Sequence, residues 1–348
     1  MRPTCTSDYV GKGHWHFMQD ILALASANLL SPAVLFFALG FLGTIAGAHL
    51  TLPEAVAKTL SIYLMLAIGF KGGVAVAEHG LGIDIVLALV AGMVLSALIP
   101  LVAFGLLTVM ARLDRVDRAA VAAHYGSISI VTFVAAGEAL RVAGLSFEGY
   151  LVAVAAVMET PAILVALYLA HAGKPASEAA AKPGGRQERL LTEVMLNSSV
   201  VVLVGSFVIG FLAGPKGLAD IAPFIVDPFK GVLCLFLLDM GAVAGRGIRS
   251  GWKHMSPGLV LFGLIMPYIG AVFALGAGLA IGLSTGGVAL LMVLGASASY
   301  IAVPAALRLA LPEARPSIYL TLSLGITFPM NLTIGIPAYI ALAQMASG

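Results

Sequence analysis

Along most of this chain apolar residues do not alternate with polar ones; they run on in long blocks. Ten blocks stand apart, at 31–48, 53–69, 83–110, 119–140, 147–170, 196–213, 222–243, 257–283, 287–309 and 317–343. Most are close to the roughly 20 residues a helix needs to cross a bilayer's hydrocarbon. A helix that is apolar on every side is buried in protein or lipid. The pattern therefore predicts an all-α integral membrane protein with ten transmembrane helices. Residues 17–30 are apolar with one acid, Asp20, and read as an interfacial helix or an extension of the first span.

The longest polar interruption, "GKPASEAAAKPGGRQERLLTE" at 173–193, has the Gly, Pro and charge content of a flexible connector. After a tail of residues 1–30, it separates two halves, 31–172 and 194–348, that share an ordered set of features. "LGFLGTIAG" (39–47) parallels "SFVIGFLAG" (206–214), with glycines four apart at Gly43 and Gly47 and at Gly210 and Gly214. The second spans end in glycines (Gly69, Gly72 and Gly73; Gly241 and Gly245), and the third contain Pro100 or Pro267. The fourth spans carry two serines one residue apart after a glycine: Gly126, Ser127 and Ser129, then Gly295, Ser297 and Ser299. In the fifth, "METPAIL" (158–164) matches "TFPMNLT" (327–333) on Pro161 and Pro329. Five spans is an odd number, so the second half must insert upside down relative to the first. Inverted repeats with interrupted helices are a feature of secondary transporters.

Composition agrees with the hydropathy pattern. Of 348 residues, 60% are hydrophobic and 10% charged, against about 25% charged in soluble domains. A net charge of +2 gives no footing for a nucleic-acid partner. Cys5 and Cys234 make no disulfide framework. Residues 1–16 lack a signal peptide's apolar core and cleavage site, and a start at Met18 is one reading of the N-terminus. Of the 19 lysines and arginines, 13 fall in the loops that face the cytoplasm if the N-terminus is outside, and 6 on the other side. Basic loops stay inside, so both termini are expected to be periplasmic in a bacterial plasma membrane, with the 173–193 linker cytoplasmic. No zinc-binding or nucleotide-binding motif appears, and no metal site is expected.

The serine-bearing stretches "HYGSISIVTF" and "GASASYIAVP" hold the candidate chemistry. Non-helical backbone at membrane depth persists only where protein or a wet cavity satisfies it. Breaks in spans 4 and 9 would each leave a helix N-terminus with unpaired N–H groups and about half a positive charge. Two such ends with serine hydroxyls suit a small monovalent oxyanion. The plainer alternative is that each serine bonds its own helix or lets helices approach. Glu159, mid-span and two residues before Pro161, needs a cation, a proton or a polar cavity. Thr132, Thr327 and Asn331 offer neutral oxygens beside it for sodium coordination. Asp239 is read as snorkelling or pairing with Arg246 or Arg249. Glu138, Arg141 and Arg308 are read as interfacial, His124 as a satisfied helix histidine with a pH-sensitive gate residue as the alternative, and Lys71 as a solvated helix end or an anion attractor.

On these residues the sequence resembles the SbtA-type sodium-dependent bicarbonate transporter family. The likeness runs from about Leu30 and is most specific in "HYGSISIVTF", "METPAILVALYLA", "GASASYIAVPAALRLALPEARPSIYLTLSLGITFP" and "GIPAYIALAQ". The resemblance implies two inverted five-helix repeats, divided into core and gate domains and assembled as a homotrimer. It implies transport of bicarbonate with sodium by alternating access, and a PII-like cytoplasmic regulator in cyanobacterial members. Gly126, Ser127, Ser129, Thr132, Ser297 and Ser299 fall on its two breaks. Cyanobacterial members carry aspartate where this chain has Tyr300 and Glu159. Tyr300 therefore joins the anion-site candidates, with Thr132, Glu159, Thr327 and Asn331 for the cation. The alternatives are a proton-coupled or uncoupled carrier of another small anion, an intramembrane enzyme using Glu159 or His124, and a sensor signalling through 173–193.

Overall fold

A computed structural model of the chain describes residue 26 and residues 29–50, 52–80, 82–172 and 198–347. Cys5, Met18, Asp20 and the 173–193 linker lie outside the described residues. Among the described residues all regular structure is helical. The helices are α1 (Pro32–Ile45), α2 (Glu54–His79), α3 (Ile83–Met110), α4 (Arg115–Gly126), α5 (Ile130–Val142), α6 (Leu151–Val157), α7 (Glu159–His171), α8 (Ser198–Ile225), α9 (Phe229–Gly251), α10 (Pro257–Ala280), α11 (Thr285–Ala296) and α12 (Ala302–Ala310). A last span, Pro316–Ser347, winds through two π-helical stretches, Thr321–Thr327 and Asn331–Gly335.

Eight helical runs are long and apolar enough to cross a membrane among the described residues. Two of the ten predicted blocks are met by shorter pieces. At 31–48, α1 has 14 residues, a rise of about 21 Å against a core of about 30 Å. At 287–309 the chain divides into α11 and α12. Helix starts follow local chemistry. Ser31 precedes Pro32 and accepts from the Val34 N–H. Asp114 accepts from Asp117 N–H at 2.8 Å, Ser256 from Leu259 at 3.3 Å and Ser284 from Gly287 at 3.1 Å. Each side-chain oxygen satisfies a donor that the first turn leaves free.

α1 packs along α9 and α2 along α8. Glycine is what permits this. A methyl at Gly73 would overlap the Phe207 carbonyl, one at Gly210 the Phe70 carbonyl, one at Gly40 the Leu238 carbonyl and one at Gly241 the Phe37 carbonyl. Gly47 and Gly214, which the sequence comparison of the two halves aligns, both take positive φ, 98° and 63°, a conformation that favours residues without Cβ. Through the rest of the protein runs Arg115–Val142, the α4–α5 segment, buried among α3, α7, the last span and α11. Its small residues, including Ala119, Ala120, Ala122 and Ala123, let those helices close around it.

Polar contacts tie the ends. At one end Arg315, just before the last span, clasps Asp117 at the start of α4: its N–H donates to Oδ1 at 2.8 Å and Nε to Oδ2 at 2.6 Å. At the other end Glu148, just before α6, accepts from the Ser284 N–H at 2.7 Å at the start of α11. Asp239 accepts from Leu52 N–H at 3.4 Å, while Arg246 and Arg249 donate to the Leu50 and Thr44 carbonyls. These arginines fasten the turn after α1, and the Arg246 charge also acts on the Asp239 carboxylate.

Candidate substrate site

Between α4 and α5, residues 127–129 leave the helical conformation, and between α11 and α12 residues 297–301 do so. Ser127 and Ser297 are extended (φ −89°, ψ 170° and φ −81°, ψ 160°). The glycines before them are forced by packing. A methyl at Gly126 would overlap the Pro100 ring of α3 and lie 2.9 Å from Ala162 Cβ. One at Gly295 would lie 2.7 Å from the Gly270 carbonyl of α10. Each non-helical stretch is thus pressed against the third span of its own half.

The two stretches cross and bond to each other. Ser129 N–H donates to Ser297 Oγ at 3.0 Å, and Ser299 N–H donates to the His124 carbonyl at 2.7 Å. Ser297 Oγ in turn donates to Leu294 O at 2.9 Å. Ser129 and Ser299 bond the first turns of the helices that follow. Ser129 Oγ accepts from Thr132 N–H at 3.2 Å and from Thr132 Oγ1 at 2.9 Å, and Ser299 Oγ accepts from Val303 N–H at 3.4 Å. All these side chains are buried. Two of the backbone donors freed by leaving the helix, at Ser129 and Ser299, are therefore answered across the crossing, as a low-dielectric interior demands.

Beside the crossing is a cavity of about 10 Å³, room for a single water. Ser129, Ile130, Ser299, Tyr300, Ala302 and Glu159 line it, with Met65 of α2 closing one side. The N-terminal turns of α5 and α12 both border it, so two positive helix ends and one carboxylate share the space. Glu159 is 7% exposed, and its Oε2 has no hydrogen-bond partner among the described residues. It sits where the fifth span is interrupted. Ser96 of α3 donates to the Met158 carbonyl and accepts from Ala162 N–H at 3.1 Å. The hydroxyl thereby stands in for the direct i to i+4 bond. Pro161, having no N–H, weakens the ladder at the same turn.

The sequence-derived residues do not all meet. Ser129, Ser299, Tyr300 and Glu159 share the cavity; Thr132 reaches it through Ser129; Ser127 Oγ is buried without a hydrogen-bond partner among the described residues. Thr327 and Asn331 do not line it. Thr327 Oγ1 donates to Gly263 O at 2.8 Å and lies 2.6 Å from Tyr125 OH. Asn331 Nδ2 donates to Ala296 O at 2.8 Å and its Oδ1 accepts from Tyr339 OH at 2.9 Å. Thr327 Oγ1 and Asn331 Nδ2 brace the last span against α10 and α11. His124 departs from the expectation of a satisfied histidine: it is fully buried, edge-on to Tyr319 at 4.4 Å, with neither ring nitrogen hydrogen-bonded among the described residues. Lys71 lies 4.1 Å over the Phe229 ring, rather than in solvent alone, and Glu138 pairs with Lys230 of α9 at 2.8 Å.

Sequence reasoning missed Ser96, whose signal was a lone hydroxyl in the middle of the third span, and Met65, which carried none. Among the described residues no three His, Cys, Asp or Glu side chains cluster as a metal site. A comparison with curated proteins gave no match. Residues 32–344 match the family described as the Na+-dependent bicarbonate transporter superfamily. Since the match spans nearly the whole chain, the protein belongs to the Na+-dependent bicarbonate transporter superfamily.

Proposed function

We propose that the protein imports bicarbonate together with sodium by alternating access, with the anion bound where the two serine-bearing breaks cross and sodium held beside Glu159. Family membership makes it a transporter and not an enzyme. The observation that carries the site is the reciprocal bonding of Ser129 to Ser297 and of Ser299 to His124 next to a buried carboxylate. Two helix N-termini attract one anion. Glu159, short of a partner, asks for a cation in the same space. Thr132, already on Ser129, is the nearest neutral ligand; Thr327 and Asn331 act on the cation only through the crossing that they brace.

Coupling has an energetic reason. Moving one negative charge inward against 100 mV, inside negative, costs about 2.3 kcal/mol, which a co-entering cation cancels. The topology behind this reading is ten crossings in two inverted repeats, both termini periplasmic in a bacterial plasma membrane. Supporting it, Arg315 meets Asp117 at one end and Glu148 meets Ser284 at the other, as alternating crossings require. The packing of α1 on α9 and α2 on α8 supports their acting as the gate, with the remaining helices as the core. A cavity of about 10 Å³ is too small for a four-heavy-atom anion. This conformation is thus closed around the site, and loading requires Met65 or Tyr300 to withdraw. A homotrimer, and a PII-like partner at the 173–193 linker, belong to the same proposal by resemblance alone.

Uptake of radiolabelled bicarbonate into proteoliposomes, with and without an inward sodium gradient, tests it. Sodium-driven accumulation is expected; flux that ignores sodium sinks the coupling. The unpartnered oxygen of Glu159 also favours one rival, a proton-coupled carrier of another small anion. Acid-stimulated, sodium-independent uptake selects that rival.

A further inference from the structure

A cavity of about 610 Å³ outside the crossing lies between the α1–α9 pair and the α5 and last-span helices. Its mouth holds Glu138, Lys230 and Gln344; Cys234 is on its wall; Val34 and Leu332 are at its deep end. It is wedge-shaped because the same two groups of helices touch at the opposite end. There Thr321 Oγ1 donates to the Gly247 carbonyl at 3.2 Å, and a methyl at Gly325 would lie 2.8 Å from Ile248 Cγ1.

One helical turn deeper than Val34 is Phe37, and one turn deeper than Leu332 is Phe328. Their rings meet edge to face at 5.2 Å. Phe328 also meets Tyr300 at 5.3 Å, and Tyr300 lines the small cavity at the crossing. Mouth, cavity, aromatic pair and candidate site thus form one line. The mouth is cationic. Arg141 and Lys230 both hold Glu138, at 2.9 and 2.8 Å, leaving one formal positive charge.

From this line we propose that the cavity is the outer access path of the anion, that Lys230 draws the anion into it, and that the Phe37–Phe328–Tyr300 stack is the plug between path and site. This rests on the anion-import reading and on its orientation. Lys230 belongs to the α1–α9 pair and Glu138 to the other group, so their ion pair spans the mouth and must part when a bulky solute passes. Phe328 touches both groups of helices, so sliding one past the other separates Phe37 from Phe328 and frees Tyr300.

Cys234 is a native reporter on the wall of the path, and Cys5→Ser leaves it the sole thiol. Proteoliposomes of known orientation are treated from outside with membrane-impermeant thiosulfonates, one anionic and one cationic. Modification of Cys234 is read by mass spectrometry and scaled to each reagent's rate with a small free thiol. Both reagents are expected to react, the anionic one with an advantage. Lys230→Gln should cut that advantage on the order of threefold, the effect of one unit charge a few ångströms away in water. The cationic rate on the same variant controls for folding. Phe328→Ala should increase accessibility of a Ser299→Cys probe to the same external reagent.

An outer mouth sealed to both reagents overturns the path, and a charge preference that ignores Lys230 overturns its role. A Ser299→Cys probe equally protected with Phe328 present or absent overturns the plug. These readouts require no flux. Absence of bicarbonate uptake with Cys234 open removes the functional reading and leaves the path; sodium-driven uptake with Cys234 sealed does the reverse.

Discussion

Replacing Ser129 by alanine separates a structural serine from a ligand. Its hydroxyl accepts from Thr132 N–H at 3.2 Å and from Thr132 Oγ1 at 2.9 Å, and it is 4% exposed. Losing a helix cap costs about 1 kcal/mol, and stranding a buried donor costs about 1–3 kcal/mol. Ser129→Ala should therefore lose about 2 kcal/mol of stability. Ser299 makes a weaker bond to a first turn, one contact at 3.4 Å, and Ser299→Ala should lose a few tenths of a kcal/mol by the same scale. The ligand role predicts something different. A hydroxyl bonded to an anion contributes about 1.5–3 kcal/mol, so both variants should raise KM for bicarbonate by roughly 10- to 100-fold. Uptake kinetics in proteoliposomes give KM, and retention of the monodisperse peak after heating gives stability. If KM tracks stability, with Ser129→Ala impaired and Ser299→Ala normal, the serines are caps and the shared anion site is wrong.

Other positions carry their own expectations. Glu159→Gln should abolish sodium activation while leaving expression intact, because the amide keeps the shape without the charge; normal sodium activation would exclude Glu159 from coupling. Ser96→Ala removes the hydroxyl that links Met158 O to Ala162 N–H and should lower thermal stability by about 1–3 kcal/mol, the range for a buried unsatisfied group. Gly126→Ala forces a methyl into the Pro100 ring and should reduce the yield of folded protein, whereas Gly105→Ala, where nothing lies within 4 Å, should not. Arg315→Met leaves Asp117, 1% exposed, with the Arg315 backbone donor but without the guanidinium. The loss should be about 1–3 kcal/mol, below that of a fully buried pair, because the arginine is half in solvent.

Helix positions were legible because uninterrupted apolar runs have few other outcomes in a bilayer. Residues 127–129 and 297–301 leave the helical conformation where glycine, β-branched residues or proline stand in otherwise apolar runs. Pairing was not legible. In lipid a helix can be apolar on all sides, so hydropathy no longer marks the face that meets a neighbour. Gly241 and Gly73 could be seen as small residues, but not as the ones that touch Phe37 and Phe207. The same holds for polar atoms. Thr327 and Asn331 looked like free polar groups because the acceptors of Thr327 Oγ1 and Asn331 Nδ2, Gly263 O and Ala296 O, are 64 and 35 residues away. His124 looked like a helix histidine with local partners, and has none among the described residues.

The two halves share a scaffold but not a chemistry. Gly126 and Gly295 both press on a third span; Ser129 and Ser299 both bond the first turn of the helix that follows. Around that frame, among the described residues, buried polar atoms lack hydrogen-bond partners at Ser127, His124 and Glu159 in the first half and at Tyr300 in the second, whereas Thr327 and Asn331, in the stretch matching Glu159, are tied to backbone carbonyls. Such asymmetry follows from the task proposed here. An anion at the crossing can be served by two equivalent helix ends, since each contributes the same kind of positive potential. A cation cannot sit on that axis; it needs a carboxylate, and one carboxylate has to belong to one half. In the proposed scheme Glu159 supplies it from the first half, and the neutral Thr327 and Asn331 of the second half hold their helices still while it is filled. An acid added at Tyr300 would place a second negative charge against the anion. On this reasoning Tyr300→Asp should weaken bicarbonate uptake in this protein unless a second sodium enters with it, and the sodium Hill coefficient of the variant measures which of the two occurs.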